Sequence, residues 1–151
     1  VSKENLAIAK SWLASSDEYN LLVNGTAITA FPVYYQNDLA LLRQSLRIVQ
    51  AGTEVAEVKG KDLIPAHGLA MSRLLKTSVF PTEALTYEQA IAYLRKEAIV
   101  LPPSVPKGYV LVTYKEIPLG FVKNIGNRAN NLYPQEWRIR SGYLPDDIRT
   151  L

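Results

Sequence analysis

The residues best suited to bind a ligand lie between positions 105 and 141 of the 151-residue chain. Six Lys and Arg residues stand there against two Glu residues, and six minus two gives this stretch a formal charge of +4, whereas the whole chain carries +3. Asn and Tyr side chains are interleaved with these cations. Cations neutralise backbone phosphates, Tyr rings stack on unpaired bases and Asn amides pair with base edges. The stretch therefore indicates a nucleic-acid docking surface rather than a catalytic centre.

Ten residues of this stretch are predicted to contact the nucleic acid. They are Lys107, Tyr109, Lys115, Lys123, Asn127, Arg128, Asn131, Tyr133, Arg138 and Arg140. A second interpretation stays open for the segment from Gly126 to Pro134. Asn and Gly are also the residues that tight turns require, so the segment is equally compatible with an Asn-rich turn that carries a core Tyr. Residue types alone do not separate the two interpretations.

Catalytic and metal-binding chemistry finds little support in the sequence. The absence of Cys excludes disulfides, thiolate zinc ligands and a Cys nucleophile, and the eight glycines are scattered singly rather than grouped in a phosphate-binding loop. His67, the single histidine, has only Asp62 as a nearby acid in sequence, and we interpret it as a structural residue near a helix start. Asp146 and Asp147 are interpreted as a solvated turn or a helix N-terminus. We predict no catalytic residue, metal site or cofactor site in this chain.

Short helices and hairpins are predicted for the first half of the chain. Ser2 is a suitable N-cap for a helix that ends near Leu13. The dipeptide Asn24-Gly25 favours a type I′ turn and therefore a hairpin. The predicted segments are strands at 19–23 and 26–31, a helix at 38–46, two strands between 47 and 58 joined by a tight turn at Gly52, and a helix from Pro65 to about Lys76.

The second half of the chain is predicted to be richer in strands. Thr86 and Gln89 have the spacing of a capping box, which predicts a helix directly after them. Three prolines between 102 and 106 enclose a stiff linker that cannot be helical. Candidate strands cover 109–114, 119–124 and 137–139. The longest apolar runs fall far short of the roughly 20 residues that cross a bilayer, and no stretch is of signal-peptide type, so we expect a cytoplasmic protein without a membrane partner.

Two motifs in the last third of the chain resemble a known family. The segment from Gly108 to Phe121 (GYVLVTYKEIPLGF) and the segment from Asn130 to Pro134 (NNLYP) are similar to the PUA-like domain that ends RsmF-type bacterial rRNA cytosine-5 methyltransferases of the Sun family. Residues 46–52 and 64–70 resemble the region just upstream of that domain. The resemblance implies an α+β fold, with a small mixed α/β accessory domain at residues 1–82 and a PUA-like β-barrel RNA-binding domain at residues 83–151.

The resemblance also implies a function. In this family the chemistry belongs to an upstream domain that binds S-adenosylmethionine and uses cysteines, so this chain would be the non-catalytic C-terminal region that positions structured rRNA. S-adenosylmethionine would then serve the parent enzyme and not this chain. The implied partners are structured rRNA and the upstream methyltransferase domain. The alternative hypothesis is an intramolecular scaffold that stabilises the catalytic domain without touching RNA.

Overall fold

The computed structural model describes residues 1–142, and in that part of the chain helices and strands are mixed throughout. The helices are α1 (Lys3–Ser11), α2 (Gln36–Ser45), α3 (His67–Met71) and α4 (Tyr87–Leu94). The strands are β1 (Tyr19–Asn24), β2 (Ala27–Pro32), β3 (Thr53–Lys59), β4 (Asp62–Pro65), β5 (Thr82–Ala84), β6 (Gly108–Tyr114), β7 (Ile117–Asn124) and β8 (Ala129–Asn131). The predicted α+β class is confirmed. None of the helices in the described part is long and apolar enough to span a membrane.

The elements with strong local sequence signals form as predicted. The hydroxyl of Ser2 accepts a hydrogen bond from the Asn5 amide at 3.1 Å and caps α1. Thr86 and Gln89 exchange the two hydrogen bonds of a capping box, at 3.2 and 3.0 Å, and begin α4. The predicted hairpin also forms, but its turn consists of Gly25 and Thr26, because Asn24 pairs with Ala27 in the sheet. Of these turn residues only Gly25 has a positive φ, +60°, so the predicted type I′ turn at Asn24-Gly25 is wrong. Each of these features is satisfied within four residues of chain, which is why the sequence alone indicates them.

The first sheet is antiparallel, in the order β1-β2-β3-β4, and packs on α1. Ile28 and Ala30 of β2 are buried with Trp12 and Leu13 at the end of α1. A bulge between Ile28 and Thr29 shifts the register of β2 against β3. This sheet and helix form the framework of the first core.

The second sheet has the order β5-β6-β7-β8 and is covered on both faces. Successive side chains of β6 alternate between the faces, so Leu111 joins Phe121 in the first core while Val110 and Val112 face α4 with Tyr93. In residues 1–142 this sheet is open, with β5 and β8 at its edges, and no strand pairing closes it into a barrel. One face of the second sheet therefore packs against the first core, and the other face packs against α4.

Three predicted segments differ from the structure. Residues 47–49 are not a strand, because the hairpin turns instead at Gly60 and pairs β3 with β4. Pro65 ends β4 rather than beginning a helix, and α3 stops at Met71 because Ser72 is extended, with ψ 161°. Residues 137–139 are not a strand either, since the Ile139 amide donates to the Leu94 carbonyl at the end of α4. The missed strands β4, β5 and β8 are only three or four residues long.

The predicted domain division between residues 82 and 83 stays a prediction. It falls within β5, which pairs in parallel with β6. Just before it, the Phe80 ring packs 5.2 Å from the Trp12 ring and 4.9 Å from the Phe121 ring. The side chains on either side of this division therefore share one core.

Candidate nucleic-acid interface

The ten residues predicted to contact nucleic acid lie in separate regions of the structure. Exposed Lys107, Asn127 and Arg128 lie at one end of the second sheet, where β6 begins and the β7–β8 turn returns. The Lys107 side chain extends over this turn, so close to Gly126 that a Cβ added there would lie 3.0 Å from Lys107 Cε. Lys115 lies in the β6–β7 turn at the opposite end, roughly 20 Å away at the usual strand rise.

Lys123 and Tyr109 are occupied by contacts within the protein. They are paired across β6 and β7, and the Lys123 ammonium lies 5.5 Å from the centre of the Tyr109 ring. The same ammonium donates to Asp62 Oδ2 of β4 at 2.9 Å. This hydrogen bond is the main reason why the pKa of Lys123 is raised. The cation therefore links the two sheets in addition to any contact with a ligand.

Asn131 has its amide group fully used inside the protein. Its Nδ2 donates to the carbonyls of Tyr93 and Glu97, at 2.7 and 2.9 Å. Its Oδ1 accepts from the Tyr133 amide at 2.8 Å. These bonds tie β8 to the end of α4. The Tyr133 ring is half-buried against Tyr93, with ring centres 5.5 Å apart.

The end of α4 is held by three separate segments of chain. The Lys96 and Glu97 amides donate to the carbonyls of Tyr93 and Ala92, both at 2.9 Å, in a Schellman motif with Lys96 at φ +68°. The Ile139 amide takes the remaining carbonyl of the last turn, and the Lys96 ammonium reaches the Asn131 carbonyl at 2.7 Å. Burial lowers the pKa of Lys96. This bonding fixes the path of the chain through residues 137–140.

The segment that passes the end of α4 forms a basic groove of about 380 Å³. Arg95, Arg138 and Arg140 line it, against Glu97 as its acid. The Arg95 guanidinium donates to the carbonyls of Ser141 and Gly142, at 3.1 and 3.2 Å, and so anchors one wall. Arg138 and Arg140 are exposed, and their forked guanidinium groups are suited to phosphate.

A cleft of about 720 Å³ adjoins this groove between the two sheets, and its charged lining residues are Glu54, Glu57, Lys59, Lys96 and Glu136. His67 lies at its base, edge-on to Tyr133 and Trp137, with ring centres 5.2 and 5.3 Å apart. Trp137 is 60% exposed, an unusual position for so large an apolar ring. The cleft also contains Glu54, whose pKa is raised by burial and then by the nearby Glu57.

We use the name α4-end surface for Arg95, Lys96, Trp137, Arg138 and Arg140. Residues that are neighbours in sequence line different depressions. Arg95 and Arg138 line the groove, whereas Lys96 and Trp137, which are adjacent to them in the chain, line the cleft. The exposed Arg138 and Arg140 thus lie next to an exposed aromatic ring, a combination suited to single-stranded nucleic acid, with Glu97 and Glu136 as the neighbouring acids. The prediction from sequence missed Arg95, Lys96 and Trp137. The available signal for Trp137 in the sequence was its position directly before Arg138 and close to Arg140.

His67 makes stability depend on pH in a specific direction. Burial lowers its pKa below the ordinary value of 6.5, and Nδ1 is buried without a hydrogen-bond partner. As the pH falls through 6.5, His67 therefore takes up a proton in the unfolded chain before it does so in the folded protein. The free energy of unfolding decreases over this range and stops decreasing once the pH is below the lowered pKa of the folded state. We expect the urea midpoint to fall between about pH 7.5 and pH 5 by more in the wild type than in His67→Gln. Equal falls in both proteins would contradict this assignment.

Metal binding has no candidate in residues 1–142, where no three His, Asp or Glu side chains are grouped so that they could hold an ion. Asp146 and Asp147 lie outside the described residues.

Comparison with known proteins identifies the second sheet and its surroundings. Residues 80–139 match the family model of the methyltransferase RsmF PUA domain. This segment is similar to an RsmF PUA domain. It contains α4, the whole second sheet and most of the α4-end surface, with Arg140 one residue beyond its limit.

Two curated relatives of the chain share one description. The chain is 29% identical over 138 residues to the ribosomal RNA small subunit methyltransferase F of Enterobacter sp. (strain 638), covering 91% of this chain and 27% of that protein. It is 28% identical over 99 residues to the protein of that description from Klebsiella pneumoniae (strain 342), covering 66% of this chain and 20% of that protein. The chain thus spans about a quarter of the length of these relatives.

Proposed function

We propose that this chain is the non-catalytic, RNA-binding C-terminal part of a larger S-adenosylmethionine-dependent rRNA cytosine-5 methyltransferase, and that it positions structured rRNA for an upstream catalytic domain. The observation that carries the proposal is the α4-end surface within and beside the segment that is similar to an RsmF PUA domain. The relatives are rRNA methyltransferases by description, and the chain corresponds to a minor part of them. S-adenosylmethionine would be bound by the parent enzyme. Because the relatives are rRNA methyltransferases of bacteria by description, we propose that the protein is cytoplasmic.

The proposed mechanism divides affinity from discrimination. Arg138 and Arg140 neutralise backbone phosphates and release counterions, which supplies affinity with little sequence information, while Arg95 anchors the wall of the groove. The Trp137 ring stacks on an unpaired base at the mouth of the cleft, and such stacking tolerates every base. RNA shape and the presence of an unpaired nucleotide would therefore matter more than sequence.

The remaining predicted residues have two proposed roles. Lys107, Asn127 and Arg128, clustered at the β6 start, provide a second phosphate contact that a folded RNA could reach simultaneously with the α4-end surface. Lys115 would extend this contact at the far turn. The residues with internal partners, Tyr109, Lys123, Asn131 and Tyr133, support the surface by holding β4, β8 and α4 together.

Tethering explains how a non-catalytic module contributes to methyl transfer. A module joined to the catalytic domain by a short connection holds bound RNA near the second site at an effective concentration of about millimolar. Orienting the target cytosine beforehand lowers the entropy that the catalytic domain must remove. No residue of this chain needs to touch the reacting atoms.

The salt dependence of RNA binding tests the proposal. We expect the double variant Arg138→Ala/Arg140→Ala to weaken binding to an rRNA hairpin with an unpaired loop. It should also reduce the slope of log K against log salt by about 1.4 to 1.8, since each of the two lost phosphate contacts removes about 0.7 to 0.9. Filter binding at four or more salt concentrations measures the slope.

The matched control is Arg43→Ala/Arg47→Ala, which removes two exposed arginines from the first half of the chain. Its salt slope should equal that of the wild type. Equal slopes for both double variants, or wild-type binding that does not change with salt, would contradict the proposed interface.

A further inference from the structure

A second surface of the chain is apolar rather than basic. It consists of side chains on α2 and on the residues beside it: Tyr34, Tyr35, Leu41, Leu42, Leu46 and Val49. Tyr34 is 86% exposed, Leu41 65% and Val49 89%. The other three side chains are also exposed, and large apolar side chains exposed together mark an interaction site. We call these six residues the α2 face.

The α2 helix buries fewer apolar side chains than a surface helix of a free-standing protein usually does. Such helices usually bury one broad apolar stripe and turn polar residues to solvent. Of the leucines on α2, only Leu39 is buried, whereas Leu41 and Leu42 are exposed. Leu46 continues the exposed apolar surface beyond the last turn. The sequence therefore supplies more apolar side chains here than the described part of the chain covers.

A groove of about 440 Å³ on the first sheet shares Val49 with the α2 face. Val49 lies on one side of it, in the connection between α2 and β3, and Leu22 and Ala27 lie on the other, on β1 and β2. Arg43 and Glu54 contribute opposite charges to the lining. A mixed groove of this kind, next to exposed leucines and tyrosines, has the composition of a protein interface.

The chemistry of the α2 face indicates a protein partner rather than RNA. RNA binding requires cations that neutralise phosphates. The exposed cations beside the α2 face are Arg43 and Arg47, and the acids Asp38 and Glu54 lie near them. The relatives that the chain matches have about three quarters of their length outside the matched part, since the matched residues cover 27% and 20% of them. A covalently attached domain of that size is present at high effective concentration.

We propose that the α2 face docks on the preceding part of the same polypeptide, the part that carries the catalytic domain. This inference rests on the proposed function only in that a larger methyltransferase exists, and it adds the surface by which this chain is attached. The docked α2 face would fix the direction in which the α4-end surface presents its RNA to the active site.

Side-chain labelling of the full-length polypeptide tests the docking. Hydroxyl-radical footprinting compares the labelling of Leu41 and Leu42 in the full-length protein and in the 151-residue chain. We expect labelling of both to fall several-fold in the full-length protein, while Ile117, which is 66% exposed in the β6–β7 hairpin, keeps its labelling. Equal labelling of Leu41 in the two proteins would overturn the proposal.

Charged substitutions give an independent test. Leu41→Glu and Ile117→Glu place the same carboxylate at positions of almost equal exposure, 65% and 66%. In the 151-residue chain neither should change the melting temperature by more than about one degree, because exposed substitutions cost little. In the full-length protein we expect Leu41→Glu alone to lower the melting temperature by several degrees. No difference between the two variants would count against docking.

Two further outcomes would replace the proposed partner. Dimerisation of the 151-residue chain in analytical ultracentrifugation, abolished by Leu41→Glu, would assign the α2 face to a second copy. Labelling of Leu41 that falls only when rRNA is added would assign it to RNA. The RNA affinity of the 151-residue chain should be the same with Leu41→Glu as without it, so failure of the docking proposal and failure of the RNA-binding proposal are distinguishable.

Discussion

Replacing Gly120 by Ala is expected to destabilise the protein by about 4 kcal/mol, as the sum of backbone strain and overpacking of the core. Gly120 lies in β7 with φ +144°, a conformation that side chains rarely adopt. A Cβ at this position would clash with the Tyr93 hydroxyl and lie 3.0 Å from His67 Nδ1. Tyr93 is fully buried and its hydroxyl donates to the Phe121 carbonyl at 3.1 Å, so it cannot move aside without losing that bond.

The control for the backbone contribution is Gly108→Ala. Gly108 also has a positive φ, +112°, but a Cβ there would have no neighbour within 4 Å. This variant should lose only about 1 to 2 kcal/mol. Urea unfolding followed by circular dichroism measures both changes. Equal losses for the two variants would show that the clash with Tyr93 contributes nothing.

A double variant separates the two causes further. Tyr93→Phe removes the hydroxyl that a Cβ at Gly120 would strike, at a cost of about 1 kcal/mol for the lost hydrogen bond. In the Tyr93→Phe background, Gly120→Ala should therefore cost less than it does in the wild type. Additive losses would place the strain elsewhere in β7.

Replacing Trp137 by Ala should lower the affinity for an rRNA hairpin with an unpaired loop about 10- to 100-fold, the loss expected when one base loses its aromatic stacking partner. The ring is 60% exposed and contacts His67 edge-on, so one face of it is available to a base. Trp137→Phe should retain most of the affinity, because a smaller ring still stacks. Fluorescence anisotropy with a labelled hairpin at fixed salt measures all three proteins.

The matched control for Trp137 is Tyr34→Ala, which removes another exposed aromatic ring from the first half of the chain. Its RNA affinity should equal that of the wild type. The far-ultraviolet circular dichroism of both variants should be unchanged, since neither ring is buried in a core. A similar loss of affinity in both variants would exclude a specific role for Trp137.

The parts of this fold that sequence predicts are those with partners close in the chain. The caps at Ser2 and Thr86 and the turn at Gly25 are each satisfied within a few residues. Strands β6 and β7 are also evident from the sequence, because each is a long run of β-type residues. Such runs are typical of strands in a sheet that is covered on both faces. Helix and strand identity follows from such local preferences.

The parts that sequence missed depend on partners far away in the chain. Three-residue strands such as β8 exist only because β7 offers an edge, and nothing in their own composition demands a strand. Lys123 meets Asp62, 61 residues earlier, and so a cation predicted to be free is an internal link. Basic residues that are neighbours in sequence also separate in space, because a strand carries them to opposite ends of the sheet.

The bonding at the end of α4 has a consequence for how variants of this protein should be interpreted. Asn131, Glu97 and Ile139 come from three stretches of chain, yet all satisfy carbonyls of one helical turn. The walls of the groove and of the cleft are therefore held together by the same set of hydrogen bonds. A genetic screen that scored Asn131 as essential would be detecting the loss of hydrogen bonds that hold the end of α4. The residues that contact the nucleotide would be those whose substitution leaves these hydrogen bonds intact.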